Sequence, residues 1–296
     1  ENFIPIKADQ DATPELANRY RKYGWPATIF INSSGEDIIK RAGYIKKTKF
    51  LTLLKEVKKG SISGKETKML SNIKANDSQE ERVINKLKEN FKKAIDYELG
   101  GFNSSQKYVD YETFEYALFD SKNPKDKEWS KRSTKGAKKL SDPVWGGICQ
   151  YSTYRDWDHL HYEKLLSIQA KYLKIFAQSY LYFSDSSSLI LANNILSYSN
   201  RFLKSASGLY ANAQDADLVK GVHSESYFDL NDSARIQLGV PKVDTNTYTS
   251  SNAEMIPSLL MLYHSTQNKI YKVTYENILV QLLKRKNDKG LYSHSY

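Results

Sequence analysis

The sequence contains a single cysteine, Cys149, among its 296 residues. One thiol excludes an internal disulfide, a CxxC redox pair and an all-cysteine metal site within this sequence. Long apolar runs are also missing: the most apolar stretch, residues 278–283, is much shorter than the roughly 18 residues that span a bilayer. We therefore expect no membrane-spanning helix.

Lysine and tyrosine, by contrast, are abundant. The 44 Lys and Arg residues against 34 Asp and Glu residues give a net charge of +10. The densest basic cluster, residues 122–139, is predicted to be a polar loop, and no recognisable nucleic-acid-binding module accompanies it. We interpret it as a solvated surface and expect no nucleic-acid partner. The 22 tyrosines suit half-buried positions, where the ring packs and the hydroxyl reaches water or a polar cavity.

Residues 1–60 predict a small α/β domain with the order β-α-β-β-α. The predicted strands are 3–9, 25–31 and 37–44, and the predicted helices follow the capping residues Thr13 and Thr48. This order, with Trp25-Pro26 entering the central strand, resembles the C-terminal two-thirds of a thioredoxin fold. The resemblance implies a cis peptide bond at Pro26. It also implies a first strand and a cysteine-bearing helix upstream of Glu1, so we expect the chain to be part of a longer protein.

Residues 61–77 are polar and aperiodic and are predicted to be a linker, and residues 78–296 are predicted to be mainly helical. Apolar residues recur at helical spacing in six segments: 78–99, 110–119, 158–183, 188–203, 253–264 and 270–284. A short signature recurs between them, in which glycine is followed by a bulky apolar or aromatic residue and then by small polar residues: it occupies 100–103, 146–149, 208–211 and 290–293. Glycine permits the positive φ that ends a helix, so the recurrence predicts stacked helical hairpins. Hairpins closed around an axis form an (α/α) toroid.

Four blocks occur in order along the helical part: 100–107, 146–166, 208–217 and 244–253. Together they resemble the YyaL-type, spermatogenesis-associated protein family. The resemblance implies a thioredoxin-like domain joined to a six-hairpin (α/α) toroid, similar to those of N-acylglucosamine 2-epimerases and several glycoside hydrolases. The expected fold class is therefore α+β and mostly α, with an incomplete thioredoxin-like domain at 1–60, a linker at 61–77 and an incomplete toroid at 78–296.

Two pairs of residues in these blocks are candidate catalytic groups. His161 and Glu163 stand at the start of the predicted helix 158–183, and in epimerase-like toroids such groups move protons or bind sugar hydroxyls. Asp215 and Asp217 follow a glycine-aromatic turn, and residues i and i+2 of an extended segment point the same way. The structural alternatives are a His–Glu pair that locks helices together and aspartates that hold a turn.

The aromatic and amide residues of the same blocks are candidate ligand contacts: Tyr151, Trp157, Tyr210 and Asn252. Trp25 and Pro26 form the expected cis-proline loop, a surface suited to an extended peptide. We expect no metal and no other cofactor, because His159, His161 and Glu163 match no metal-binding spacing.

The sequence departs from the family pattern at Cys149-Gln150, where the family has His-Arg, and at 251–253, where it has Trp-Asn-Gly. These losses favour a toroid without catalytic activity. Two functions stay open. One is a redox-linked or binding protein whose polar, tyrosine-lined funnel holds a carbohydrate-like ligand or a polypeptide segment. The other is a sugar isomerase, epimerase or glycoside hydrolase that uses the four candidate catalytic residues. A single cysteine fits a reducing cytoplasm and is also compatible with export, so the compartment stays open.

Overall fold

The computed structural model describes residues 3–10, 12–59, 77–219 and 221–295, without the side chains of 77–80. Contacts divide the chain into two compact units, Glu1–Asn76 and Asp77–Tyr296. The predicted linker at 61–77 lies outside the described residues, apart from Asp77, which begins a helix.

The first unit is a β-hairpin with two helices: α1 (Pro14–Tyr20), β1 (Ala27–Ile31), β2 (Asp37–Ala42) and α2 (Lys47–Lys58). The strands are antiparallel, and Phe30, Ile39 and Leu53 form the buried core between the hairpin and α2. The Trp25–Pro26 peptide bond is cis. The described elements of this unit follow one another in the order α-β-β-α. Assignment of the unit to the thioredoxin-like fold stays a prediction.

The strand predicted at 3–9 is wrong. Residues 3–9 form no strand, and Ile4 and Ile6 are exposed. The Phe3 ring contacts Phe30 edge-on at 5.9 Å. An apolar run becomes a strand only where a neighbour satisfies its backbone groups, and no described residue of this unit pairs with it.

The second unit is built on helices. They are α3 (Asp77–Ala94), α4 (Tyr111–Glu115), α5 (Pro124–Ala137), α6 (Leu166–Phe183), α7 (Ser186–Tyr198), α8 (Glu225–Phe228), α9 (Asp232–Leu238), α10 (Thr249–Thr266) and α11 (Lys269–Leu283). Helix α6 packs against α7 and α10, and α10 packs against α11. Phe176, Leu173 and Leu259 lie fully buried in this core. Within the described ranges, no helix is long and apolar enough to cross a bilayer.

Helix α5 corrects the prediction of a polar loop at 122–139. Its lysines lie outward, but Trp129 is fully buried and donates its indole N–H to the Gly101 carbonyl at 2.9 Å. The side chain of Asn123 caps the helix at the Lys125 N–H, and Pro124 occupies the first position. The basic cluster is therefore the solvated face of a packed helix.

The helix predicted at 158–183 begins later, at Leu166. The segment before it forms short strands instead. Strand β3 (Tyr151–Ser152) pairs with β4 (Leu160–His161), and β5 (Lys164–Leu165), β6 (Ala213–Gln214) and β7 (Val243–Asp244) form a three-stranded sheet. His161 and Glu163 therefore precede α6 rather than starting it.

The glycine turns repeat as predicted. At each of the four turns the chain folds back into a single antiparallel bridge, at Ile95–Phe102, Ser141–Ile148, Lys204–Tyr210 and Lys286–Tyr292. Gly100, Gly146, Gly208 and Gly290 all have positive φ. The second unit thus contains quasi-repeated helical segments separated by glycine turns of two lengths: the bridged residues are seven apart in the first two turns and six apart in the last two.

Candidate functional site

Three extended backbone segments lie side by side: 106–109, 150–153 and 159–161. The backbone N–H groups of Lys107 and Ser152 each donate to the other's carbonyl, at 2.8 and 2.9 Å. Ser152 also pairs with Leu160, and Tyr151 pairs with His161. We call these three segments the aromatic ribbon.

The ribbon has an inner and an outer face. Lys107 and Ser152 are fully buried on the inner face. Because side chains alternate along an extended chain, Tyr108, Tyr151 and His161 lie on the outer face. Tyr108 is 38% exposed and the His161 side chain 40% exposed. The register brings these three rings, from distant parts of the sequence, into one row.

The outer face carries an open acid–base pair. Nε2 of His161 lies 3.8 Å from a carboxylate oxygen of Glu163, whose side chain is 35% exposed. The Tyr151 ring stacks on the imidazole, with centroids 4.8 Å apart and planes inclined by 13°. Burial and the negative charge of Glu163 raise the pKa of the Tyr151 phenol. Because 3.8 Å is too long for a direct hydrogen bond, there is room for a ligand hydroxyl to join the two groups.

The Asp215 segment reaches the same edge. Lys164 pairs with Gln214 between β5 and β6, so the register, continued by one residue, sets Glu163 opposite Asp215. The carboxylates themselves hold a turn: Asp215 accepts the Asp217 N–H at 3.1 Å, and Asp217 accepts the Gly221 N–H at 3.2 Å. The structure thus joins the two candidate segments and gives both aspartates a turn-forming role.

Three of the predicted ligand contacts are core residues. Trp157, Tyr210 and Asn252 are each at most 5% exposed. The Trp157 indole N–H donates to the Leu99 carbonyl at 2.8 Å. The Asn252 amide accepts the Tyr210 N–H at 2.7 Å and donates to the Tyr210 carbonyl at 2.9 Å. Packing and backbone hydrogen bonds already use these three side chains, so a role for them as ligand contacts stays a prediction; Tyr151 alone of the four lies on the ribbon's outer face.

A buried ionic cluster lies directly beside the candidate site, and the sequence reasoning missed it. Nζ of Lys164 and a guanidinium nitrogen of Arg235 lie 2.7 and 2.8 Å from the same oxygen of Asp142. All three side chains are at most 1% exposed. Burial opposes ionisation of Asp142, but the charge of Lys164 and the hydrogen bonds from both cations hold the pKa of its carboxyl below the ordinary value. Lys164 follows Glu163, so the cluster fixes the backbone that carries the His–Glu pair.

A similar arrangement holds the preceding turn. Lys107 lies 2.5 Å from an oxygen of Asp96 and donates to the Gly100 and Phe102 carbonyls at 3.0 and 2.9 Å. Asp96 stands four residues before Gly100, as Asp142 stands four before Gly146. This repeated spacing, with a lysine further along each block, is the signal by which the sequence could have revealed both clusters.

Cys149 is fully buried, and burial raises the pKa of its thiol to about 12. A thiol in that state supplies no thiolate near neutral pH. The surroundings of Cys149 therefore do not support a reactive thiol. Among the described residues, no three His, Cys, Asp or Glu side chains are grouped so that they could hold a metal ion.

The amino-acid sequence of this chain is similar to those of three curated proteins of the same name. Human spermatogenesis-associated protein 20 is 24% identical over 257 residues, which cover 73% of this chain and 32% of the human protein. The mouse protein is 36% identical over 78 residues, 26% of this chain and 10% of its own length. The resemblance to the spermatogenesis-associated protein family is confirmed. The chain spans about a third of the length of the curated relatives it matches. No family model matches it.

Solved structures similar to this chain share its helical architecture. A D-mannose isomerase gives a TM-score of 0.53 at 12% identity, covering 77% of this chain and 57% of the isomerase. Cellobiose 2-epimerase from Bacillus thermoamylovorans B4167 gives 0.53 at 12% identity, covering 75% and 60%. A GH76 α-mannanase from Bacteroides thetaiotaomicron gives 0.50 at 18%, covering 72% and 58%. At these identities the likeness shows the fold: the chain is α+β and mostly α, and its helical part is similar to (α/α) toroids.

Proposed function

We propose that the helical unit binds a carbohydrate on the outer face of the aromatic ribbon and that His161 and Glu163 move a proton on it. The reaction class is aldose–ketose isomerisation or epimerisation beside a carbonyl. The observation that carries the proposal is the half-exposed pair of His161 and Glu163. The His161 Nε2 lies 3.8 Å from a Glu163 carboxylate oxygen, and the imidazole stacks on the Tyr151 ring.

The chemistry follows from the side chains. For isomerisation, His161 takes the proton from the carbon next to the carbonyl and, as imidazolium, returns it to the former carbonyl carbon, while the proton of the neighbouring hydroxyl moves to the former carbonyl oxygen. For epimerisation, the proton returns to the first carbon after the intermediate has turned its other face to the imidazolium. Histidine suits the role of base because its ordinary pKa lies near neutrality. The carboxylate of Glu163 stabilises the imidazolium that forms, and the Tyr151 ring offers an apolar face to the C–H side of a sugar ring.

The names of the similar structures support a sugar as the ligand, since they include an isomerase and an epimerase. A glycoside hydrolase would instead need two free carboxylates. Asp215 and Asp217 each use an oxygen to hold their turn, so we assign them no proton transfer. Nor do we propose thiol chemistry for these residues, because Cys149 is buried. A thioredoxin-like domain in the first unit remains our proposal, resting on the order of its elements.

Exchange with solvent tests the proton transfer. In D2O, the protein is expected to place deuterium at C2 of D-mannose or cellobiose, followed by NMR. His161→Ala should slow this exchange by about 10²- to 10⁴-fold, the usual contribution of a general base. Glu163→Gln should slow it less, because it leaves the imidazole in place.

His264→Ala is the matched control, because His264 is an exposed histidine in the last turn of α10. Its rate should equal that of the unchanged protein. If His161→Ala exchanges as fast as the control, the proton-transfer proposal is wrong. If the sugars bind and no exchange occurs in any variant, binding stands and catalysis is abandoned.

A further inference from the structure

We propose that the ribbon binds an oligosaccharide rather than a single sugar, with Tyr154 as a second ring-binding position. This inference rests on the proposed carbohydrate binding and deepens it. The juxtaposition that carries it is two pairs of exposed rings on one hairpin, Tyr151 with His161 and Tyr154 with His159.

The first pair lies across neighbouring segments. Lys107 pairs with Ser152 in antiparallel register, so Tyr108 stands opposite Tyr151, which stands opposite His161. Neighbouring extended segments are about 4.8 Å apart. The measured 4.8 Å between the Tyr151 and His161 rings agrees with that spacing.

The second pair lies further along the hairpin. The Thr153 N–H donates to the His159 carbonyl at 2.8 Å, so the pairing continues past β3 and β4. His159 directly precedes β4, two residues before His161, and its side chain is exposed. The Tyr154 ring meets the His159 ring edge-on, with centroids 5.0 Å apart. The two pairs of rings therefore lie at successive places along one hairpin.

Tyr154 is held in an unfavourable backbone conformation. It has φ +55° and Arg155 has φ +64°, in the left-handed region that favours glycine or asparagine. Contacts fix the turn there: the Arg155 N–H donates to the Ser105 carbonyl at 3.0 Å, and the Arg155 guanidinium donates to the Asn103 side chain. Residue Tyr154 is 78% exposed, so burial of its ring offsets little of this unfavourable backbone energy.

A large ring kept at a strained and exposed position points to a use for the ring outside the fold. An oligosaccharide fits this use because its successive sugar rings present C–H faces that stack on aromatic rings. The hydroxyls between those faces can meet the polar groups of the same surface, His159 and the Asp156 carboxylate 2.7 Å from its Nδ1.

Calorimetric titration with D-mannose, α-1,6-mannobiose and α-1,6-mannotetraose, and with glucose, cellobiose and cellotetraose, tests the inference. Affinity is expected to rise from the monosaccharide to the tetrasaccharide of the series that binds. Tyr154→Gly should weaken the tetrasaccharide by about three- to tenfold, the range of one aromatic contact, and leave the monosaccharide unchanged. Tyr154→Phe should keep the affinity of the unchanged protein.

The Tyr154→Gly variant also distinguishes a loss of binding from a loss of folding. Glycine relieves the positive φ at position 154, so its midpoint of thermal unfolding should rise or stay the same while the tetrasaccharide affinity falls. Tyr182→Ala is the matched control: Tyr182 is 53% exposed, contacts Phe119 edge-on at 4.7 Å and lies about 24 Å along α6 from Leu166. It should bind every sugar normally.

Two results overturn the inference and leave the proposed function standing: an affinity that does not change with chain length, or a Tyr154→Gly variant that binds the tetrasaccharide as tightly as the control. If no sugar of either series binds to the unchanged protein, the proposed function itself fails, and the inference fails with it.

Discussion

Asp142→Asn is expected to destabilise the helical unit by about 3–5 kcal/mol, the usual effect of removing one partner from a buried ion pair. The change leaves Lys164 and Arg235 buried, each at 0% exposure, with no carboxylate between them. The asparagine can still hold the turn, because its side-chain oxygen can accept the Val144 N–H that Asp142 accepts at 2.9 Å. The loss of stability in Asp142→Asn therefore measures the effect of removing the negative charge and not a change in the shape of the turn.

The tryptophan fluorescence of urea unfolding measures this change, because Trp129, Trp145 and Trp157 are all buried in the helical unit. Asp158→Asn is the matched control. Asp158 pairs with Lys139 at 2.7 Å, but their side chains are 62% and 57% exposed, and exposed pairs contribute about 0–1 kcal/mol. Similar losses in the two variants would contradict a structural role for the buried cluster.

The effect of Asp142 should depend on pH with a definite sign. Although burial disfavours its charge, Lys164 and Arg235 lower the pKa of Asp142 from the ordinary 3.8. A group with a lowered folded pKa stabilises the protein above its unfolded pKa and loses that contribution as the pH falls through its folded pKa. The gap in unfolding free energy between the unchanged protein and Asp142→Asn should therefore be full at neutral pH and close only in strong acid.

The sequence predicted those parts of the fold that local pattern determines. Helices α6, α10 and α11 follow from their apolar periodicity, and the turns follow from glycine. Helix α5 was missed because its buried face contains Ser130, Ser133 and Gly136 beside Trp129. Such a face is recognised only with its partner: a Cβ at Gly136 would come within 2.3 Å of the Trp157 ring. Packing between distant residues, rather than apolar spacing, determines this helix.

The sequence likewise predicted only part of the candidate site. The pairing of β5 with β6 brings together the segments that carry the two candidate pairs, His161 with Glu163 and Asp215 with Asp217. The predicted helix start at 158 was wrong because residues 160–165 make their hydrogen bonds to Gln150, Tyr151, Ser152 and the segment around Ala213. Sequence spacing also gives no sign of burial, so Tyr210 and Tyr151 looked equivalent although Tyr210 is fully buried.

Two of the glycine turns allow the backbone strain of a positive φ and the steric overlap of an added Cβ to be measured separately. Gly146 and Gly290 stand at comparable places in turns of different length. The Gly146 N–H donates to the carbonyl four residues before it, Asp142, at 3.0 Å, and the Gly290 N–H donates to the carbonyl three residues before it, Asn287, at 2.9 Å. Their φ values, +73° and +82°, are alike, so an alanine meets the same backbone strain in both places. Their surroundings differ: a Cβ at Gly146 would lie 2.5 Å from the Asn194 carbonyl oxygen, whereas at Gly290 its nearest neighbour is the flexible Lys286 side chain at 3.6 Å.

Gly290→Ala is therefore expected to destabilise the protein by about 1–2 kcal/mol, the strain of a left-handed residue. Gly146→Ala should destabilise it by about 2–5 kcal/mol, because overlap with a backbone oxygen adds about 1–3 kcal/mol that no side-chain rotation relieves. Urea unfolding of the two variants measures the difference directly. Equal losses would mean that the turn before α6 can shift away from α7, and that the close contact between them does not fix the backbone leading to the ribbon.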